Sequence, residues 1–538
     1  MKGKRALLLT ALAAALVAGG LGARVLLRER VVVTRPAAVS RRPNIHPDYA
    51  DVTIPPNIAP LNFCVDEPGM RHVVRVRSTR GQPIEVASDD GRAVIPPGPW
   101  RALLRENAGE DLYFDVYAQA ADGSWTQFAP VRNVIAREDV DPYVEYRVIN
   151  VLYNFYAKMK MFEYNLETAD ESLILDDRSF GDGCMNCHTL LNNSTDRMVI
   201  QIRSAHIDYG SGMLVIDNGV VTKVDARTQA NPRLAAFASW HPSGRALVFS
   251  TNKVRQFFHA ARDEVREGID LVSDLAVYIP ATQTVLSPPS LSRPDVQETW
   301  PAWAPDGKYL YYCVGPVLWP AEVGVPPPRF REMRYDLMRI SYDVDTGSWG
   351  EPEVVLSAEK AGMSITLPRV SPDGRFLMFC MSRYSGFAAL QPDADLYMMD
   401  LESGDYWKLD CSSDEADSWH SWSSNGRWVV FSSKRVDKIF MKAYIAYVDG
   451  NGRTRKPFVM PQRDPSFYDS FIRVYHVPEF AKNPIRVRGE ALAEVIRSAP
   501  WVKVDVHVTG ASPRASSQRE SPPASAPPEA EPRAPEPR

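Results

Sequence analysis

The sequence predicts a mainly β protein: a β-propeller of five or six blades, preceded by a β-sandwich-like domain and a short helical segment. Three observations predict it. A turn motif recurs four times in the C-terminal two-thirds, a second strand-turn element follows each copy, and short alternating runs fill residues 51–138. The four copies are Trp240-His241-Pro242-Ser243-Gly244-Arg245, Trp303-Ala304-Pro305-Asp306-Gly307-Lys308, Val370-Ser371-Pro372-Asp373-Gly374-Arg375 and Trp422-Ser423-Ser424-Asn425-Gly426-Arg427.

Each copy runs into a short apolar stretch such as Leu247-Val248-Phe249 or Leu377-Met378-Phe379. A Pro-Asp-Gly or Asn-Gly turn between two short strands specifies a hairpin, because glycine accepts the positive φ that a tight turn needs. The second element, for example Asp336-Leu337-Met338-Arg339-Ile340 before Asp345-Thr346-Gly347, supplies another hairpin. Two hairpins make a four-stranded blade. One blade cannot bury both of its faces, so blades stack in a ring. Met198–Asp225 reads as a fifth unit. Val254–Glu267 reads as a helical insertion, and Pro316–Arg329 as a Pro-rich loop.

The remaining elements follow in order. Lys2, Lys4 and Arg5 precede the apolar run Ala6–Ala23, the pattern of an export signal. Residues 1–27 are therefore read as a cleaved signal peptide or as an inner-membrane anchor formed by 6–27. Both readings place the body in the periplasm. Residues 28–50 read as a linker and 51–138 as the β-sandwich-like domain. Residues 139–197 read as a helical segment. Asp141 and Pro142 suit a helix start, and Tyr143, Tyr146, Ile149, Leu152, Phe155, Tyr156 and Met159 recur at helical spacing. The propeller is assigned 198–485, a C-terminal extension 486–509 and a disordered Pro/Ala/Ser-rich tail 510–538.

Composition narrows the function. A net charge of −4 over 538 residues gives no nucleic-acid footprint, and six cysteines are too few for a disulfide scaffold. The informative pair lies in Cys184-Met185-Asn186-Cys187-His188, the spacing of c-type haem attachment. On a helical turn, two cysteines three apart share a face and can form thioethers with one porphyrin. His188 then serves as the proximal iron ligand. A thioredoxin-like pair would want a strand-helix context and needs no histidine. A zinc site would need two further clustered ligands, and no second Cys-x-x-Cys occurs. The periplasm is also where such haem is attached. The distal ligand is less constrained: Met198 is the first candidate, then His206 and Met213, with His241 and His420 available from propeller turns.

The repeats resemble the WD40-like (PD40) repeats of the TolB family. A longer collinear set resembles TolB-like PD40 proteins with an embedded cytochrome c segment. It comprises Thr53–Phe63, Tyr143-Val144-Glu145-Tyr146-Arg147, the Cys-x-x-Cys-His motif and Ser418–Trp428. The resemblance spans roughly residues 50 to 480 and implies a propeller carrying one covalent haem c on Cys184, Cys187 and His188. Where it implies a histidine after Met198, this chain has Gln201. The expected role is electron transfer or redox-linked binding, with a redox or protein partner docking on the propeller. Two further classes stand beside it: an interaction module with a structural or sensory haem, and a peroxidase-like enzyme with an open sixth site.

Overall fold

The computed structural model describes residues 31–150, 159–204, 206–229, 231–259 and 266–507. The predicted export segment, 1–27, and the predicted tail, 510–538, lie outside them. No helix among the described residues is long and apolar enough to cross a membrane.

Six sheets of four or five strands form the propeller. Their innermost strands are Arg473–Ala481, Cys184–Leu191, Ala238–Trp240, Val296–Trp303, Ser364–Val370 and Asp417–Trp422. Each touches the next around the ring, and the last returns to the first. We number the blades 1 to 6 in that order. The turn glycines 244, 307, 374 and 426 all have positive φ, between 67° and 77°, as the hairpin reading requires.

Blade 1 closes the ring. The late strand Arg473–Ala481 pairs with the early strand Tyr143–Asn150, which continues into Lys160–Asn165 and Asp170–Asp176. Over Tyr143–Asn150 the helix expected from residue 142 is therefore a strand, while Leu152, Phe155 and Tyr156 of that expectation lie outside the described residues. Apolar Val144, Tyr146 and Val148 alternate with polar Glu145 and Arg147, all of them buried, and two of the three are β-branched, which suits a strand covered on both faces. Asp141 caps no helix; its carboxylate accepts from the Ser424 backbone amide and hydroxyl, both at 2.6 Å. The propeller thus begins near residue 143 rather than at 198.

Two other expectations are corrected. Where Val254–Glu267 is expected to be helical, the described residues are strand, Leu247–Phe258 pairing with Arg266–Ile279, and 260–265 lie outside them. Residues 31–50 are not a free linker, because Ala37–Ala38 pairs with Trp125–Gln127, Ile45–His46 pairs with Phe63–Val65, and Tyr49 is fully buried. The extension after 485 makes a helix, Glu490–Ser498, and then adds Trp501–Lys503 to the outer edge of blade 2.

The N-terminal unit contains a seven-stranded and a three-stranded sheet. Its helix Pro97–Glu106, with proline in the first turn, buries Trp100, Leu103 and Leu104. It shares one apolar core with the blades that flank the ring closure, and Asn62 donates to the Gln462 and Arg463 carbonyls.

Candidate functional site at the propeller axis

Five of the six blades break register in or against the innermost strand. The shifts lie between Met185 and His188, Thr299 and Ala302, Thr366 and Arg369, and Ser418 and Ser421, and in blade 1 between Glu145 and Arg147 opposite the closing strand. A bulge inserts one residue and re-aims its side chain. In four blades that residue is bulky and left-handed: Trp300, Leu367, Trp419 and Val477, with φ of 55°, 56°, 51° and 52°. Such backbone is costly for large side chains and persists only where the surroundings hold it, commonly at binding sites.

These bulges converge on one cavity at the axis. Every blade contributes: Cys187 and His188 from blade 2, Phe237 from blade 3, Trp300 from blade 4, Leu367 and Arg369 from blade 5, Trp419 from blade 6 and Val477 from blade 1. The space is about 340 Å³ when the part open to solvent is counted. Phe237 stacks on Trp300 with ring centroids 3.5 Å apart, and Trp300 meets Trp419 edge-on at 5.5 Å.

The Cys-x-x-Cys-His motif occupies the blade 2 bulge. It is extended strand, not the expected helical turn. Met185 pairs with Ile202 and His188 with Ile200, so three steps on one strand match two on the other. The extra residue changes the alternation. The shift falls between Met185 and His188, and Cys187 and His188 line the axial cavity. Cys184, opposite Arg203, is close enough for its charge to bear on Cys187. Both are buried free thiols, and burial pushes both pKa values up.

His188 is 3% exposed. Burial, then the neighbouring Arg147 charge, lowers its pKa to about 3, so the ring is neutral at physiological pH. The Glu145 backbone bears on the ring, and Nε2 is buried without a hydrogen-bond partner. A neutral imidazole with an open nitrogen has the chemistry of a metal ligand. Trp419 Nε1, on the same cavity, and Glu479 Oε2 are also buried without partners. A buried polar atom left unsatisfied calls for an explanation beyond packing.

The remaining sequence candidates scatter. Met198 is fully buried on the neighbouring strand opposite Leu190, on the same face as His188 and two positions along. Met213 is buried in a separate cluster between blades 2 and 3. His206 lies away from the axis and stacks on Tyr209. His241 packs between blades 3 and 4, against Trp303 and the Gly307 carbonyl. His420 Nδ1 sits 3.6 Å from Cys380 Sγ. Among the described residues, no three His, Cys, Asp or Glu side chains are grouped to hold a metal ion by themselves.

Sequence reasoning missed the cavity's other walls and its charged neighbours, Arg147, Arg369, His476 and Glu479. A signal was present: the dipeptides Trp300-Pro301, Leu367-Pro368 and Val477-Pro478 repeat at the same place in their blades. Proline there removes a ladder donor, which is tolerated at a bulge.

No family model matches the chain, and no curated protein matches it. Solved structures similar to it include TolB from Acinetobacter baumannii, with 14% identity and a TM-score of 0.38, over 70% of this chain and 80% of that one. A chain of a nidogen/laminin complex is similar over 64% of this chain and all of that one, with 7% identity and a TM-score of 0.36. A prolyl endopeptidase is similar over 72% of this chain and 47% of that one, with 14% identity and a TM-score of 0.33. The propeller assignment rests on the strand order of the six blades, not on these likenesses.

Proposed function

We propose that this chain is a monohaem c-type cytochrome on a TolB-like propeller, serving electron transfer or redox-linked binding in the periplasm. One observation carries the reading: two buried free thiols at a bulge, close enough to interact and followed by a neutral imidazole whose Nε2 is buried without a partner. Cys184 and Cys187 would hold the porphyrin through thioethers, and His188 would ligate its iron. Bound there, haem supplies one-electron chemistry.

The chain's own residues would orient and shield the group. Phe237, Trp300 and Trp419 would restrict water at the axis beside His188. Aromatic side chains fill much of the axis, so the Phe237–Trp300 stack would have to open on loading. A redox protein docking at the propeller face is the partner this reading calls for. Met198, the first distal candidate of the sequence, stays the one to test, on the strand next to His188.

The test is the absorption spectrum of protein matured in a host with c-type haem machinery. Wild type should show covalently bound haem, and the Cys184→Ala/Cys187→Ala double variant none. Folded wild type without haem would end the proposal. Met198→Leu should open the sixth position, seen as bands that shift with added imidazole or cyanide. Bands that stay as in wild type would remove Met198 from the ligand set.

A further inference from the structure

We propose that Arg147 is the positioning and charge-setting residue of the Cys184–His188 site: it holds the bulge against the ring-closing strand and favours the reduced state of the bound iron. This rests on the haem reading above.

Arg147 stands where the early strand of blade 1 shifts register, opposite His476 of the closing strand. It is 6% exposed. Its Nη1 donates to the Met185 carbonyl at 3.1 Å, between the two cysteines. Its Nη2 lies 3.3 Å from His476 Nδ1. One guanidinium thus spans from the motif to the strand that closes the ring, and its planar fork suits two partners at fixed angles.

Both of these partners are neutral groups. The His476 imidazole is held well below its ordinary pKa by burial and by the Arg147, Arg266 and Lys434 charges. Glu145, two residues away on the same strand, is fully buried beside Glu163, and its carboxyl is held well above the usual range. Glu479 lies 3.4 Å from Arg369. The Arg147 charge reaches Cys184, Cys187 and His188 alike.

An oxidised iron centre carries one more positive charge than a reduced one. A fixed cation in the same low-dielectric pocket raises the energy of the oxidised form, and the reduction potential rises. A lysine would keep the charge but lose the two-ended hydrogen bonding; a methionine would lose both.

The experiment is a spectroelectrochemical titration of the holoprotein as wild type, Arg147→Met and Arg147→Lys. The expected result is covalent haem in all three, a lower midpoint potential in Arg147→Met, and a value nearer wild type in Arg147→Lys. A midpoint in Arg147→Met equal to that of wild type would overturn the proposal. Should Arg147→Met not accumulate, Arg147→Gln takes its place under the same criterion. Loss of the folded chain in all variants, read by circular dichroism, would also overturn it, since Arg147 would then serve folding alone. Haem-free wild type would end the underlying reading, whereas haem-bearing variants with an unmoved potential would end only this inference.

Discussion

Asp270 shows how strongly a single buried side chain can couple this fold to pH. It lies in the long hairpin of blade 3, accepting from Asn252 Nδ2 at 2.9 Å and from the Tyr335 hydroxyl at 3.4 Å. Burial outweighs both bonds and raises its pKa to about 7. An unfolded aspartate titrates near 4. The native chain therefore holds the proton more tightly, and this residue's contribution to stability falls as pH rises from about 4 to about 7. Asp270→Asn removes that dependence. The stability difference between variant and wild type, measured by urea denaturation, should move in the variant's favour by about 1–3 kcal/mol between pH 5 and pH 8. Parallel curves at the two pH values would show that Asp270 is ionised in the native state. At this same scale the motif residues were legible, because Cys-x-x-Cys-His is a contiguous pattern. Arg147 was not, because its hydrogen bond to Met185 joins residues 38 apart.

At the scale of elements, the turn glycines share a backbone but not an environment. A Cβ on Gly374, at φ of 77°, would meet only Pro305 Cγ at 3.5 Å. Gly374→Ala should therefore cost the left-handed backbone penalty, about 1–2 kcal/mol. A Cβ on Gly307 would fall 2.4 Å from His241 Nε2. Gly307→Ala must also displace the imidazole that bonds its carbonyl at 3.1 Å, so a further cost of about 1 kcal/mol is expected. Equal unfolding midpoints for the two variants would show that His241 moves freely. The hairpins themselves were legible from turn chemistry, which is local. The segment after Asp141 was not, since its aromatic spacing fits a helix while its β-branched residues fit a strand. Pairing with Arg473–Ala481, far along the chain, decided between them.

Across the whole molecule, the two ends of the propeller sequence meet in blade 1, and the C-terminal extension binds edges that the ring does not need for closure. A chain ending at Ile472 lacks the closing strand and leaves Tyr143–Asn150 as an open edge beside an unfilled gap. It should give no cooperative thermal transition. A chain ending at Ala499 loses the outer strand Trp501–Lys503 and the Lys223–Trp501 contact at 4.7 Å, but keeps the ring. It should stay folded and melt a few degrees lower. Cooperative melting of the shorter chain would mean that blade 1 closes without its last strand.

By itself, the sequence determined the blade repeat, its hairpin turns and the identity of the Cys184, Cys187 and His188 trio. Each of these depends on residues adjacent in the chain: glycine at a positive φ, alternating apolar runs, two thiols three residues apart. Only the tertiary structure decided that the described residues form six blades, that the ring closes on Arg473–Ala481, and that the trio lies on a bulged strand, with Cys187 and His188 at the axis, rather than on a helical turn. Those outcomes depend on register between distant strands and on side chains that six separate blades deliver to one point. A single extra residue in one strand is enough to set where a side chain is aimed.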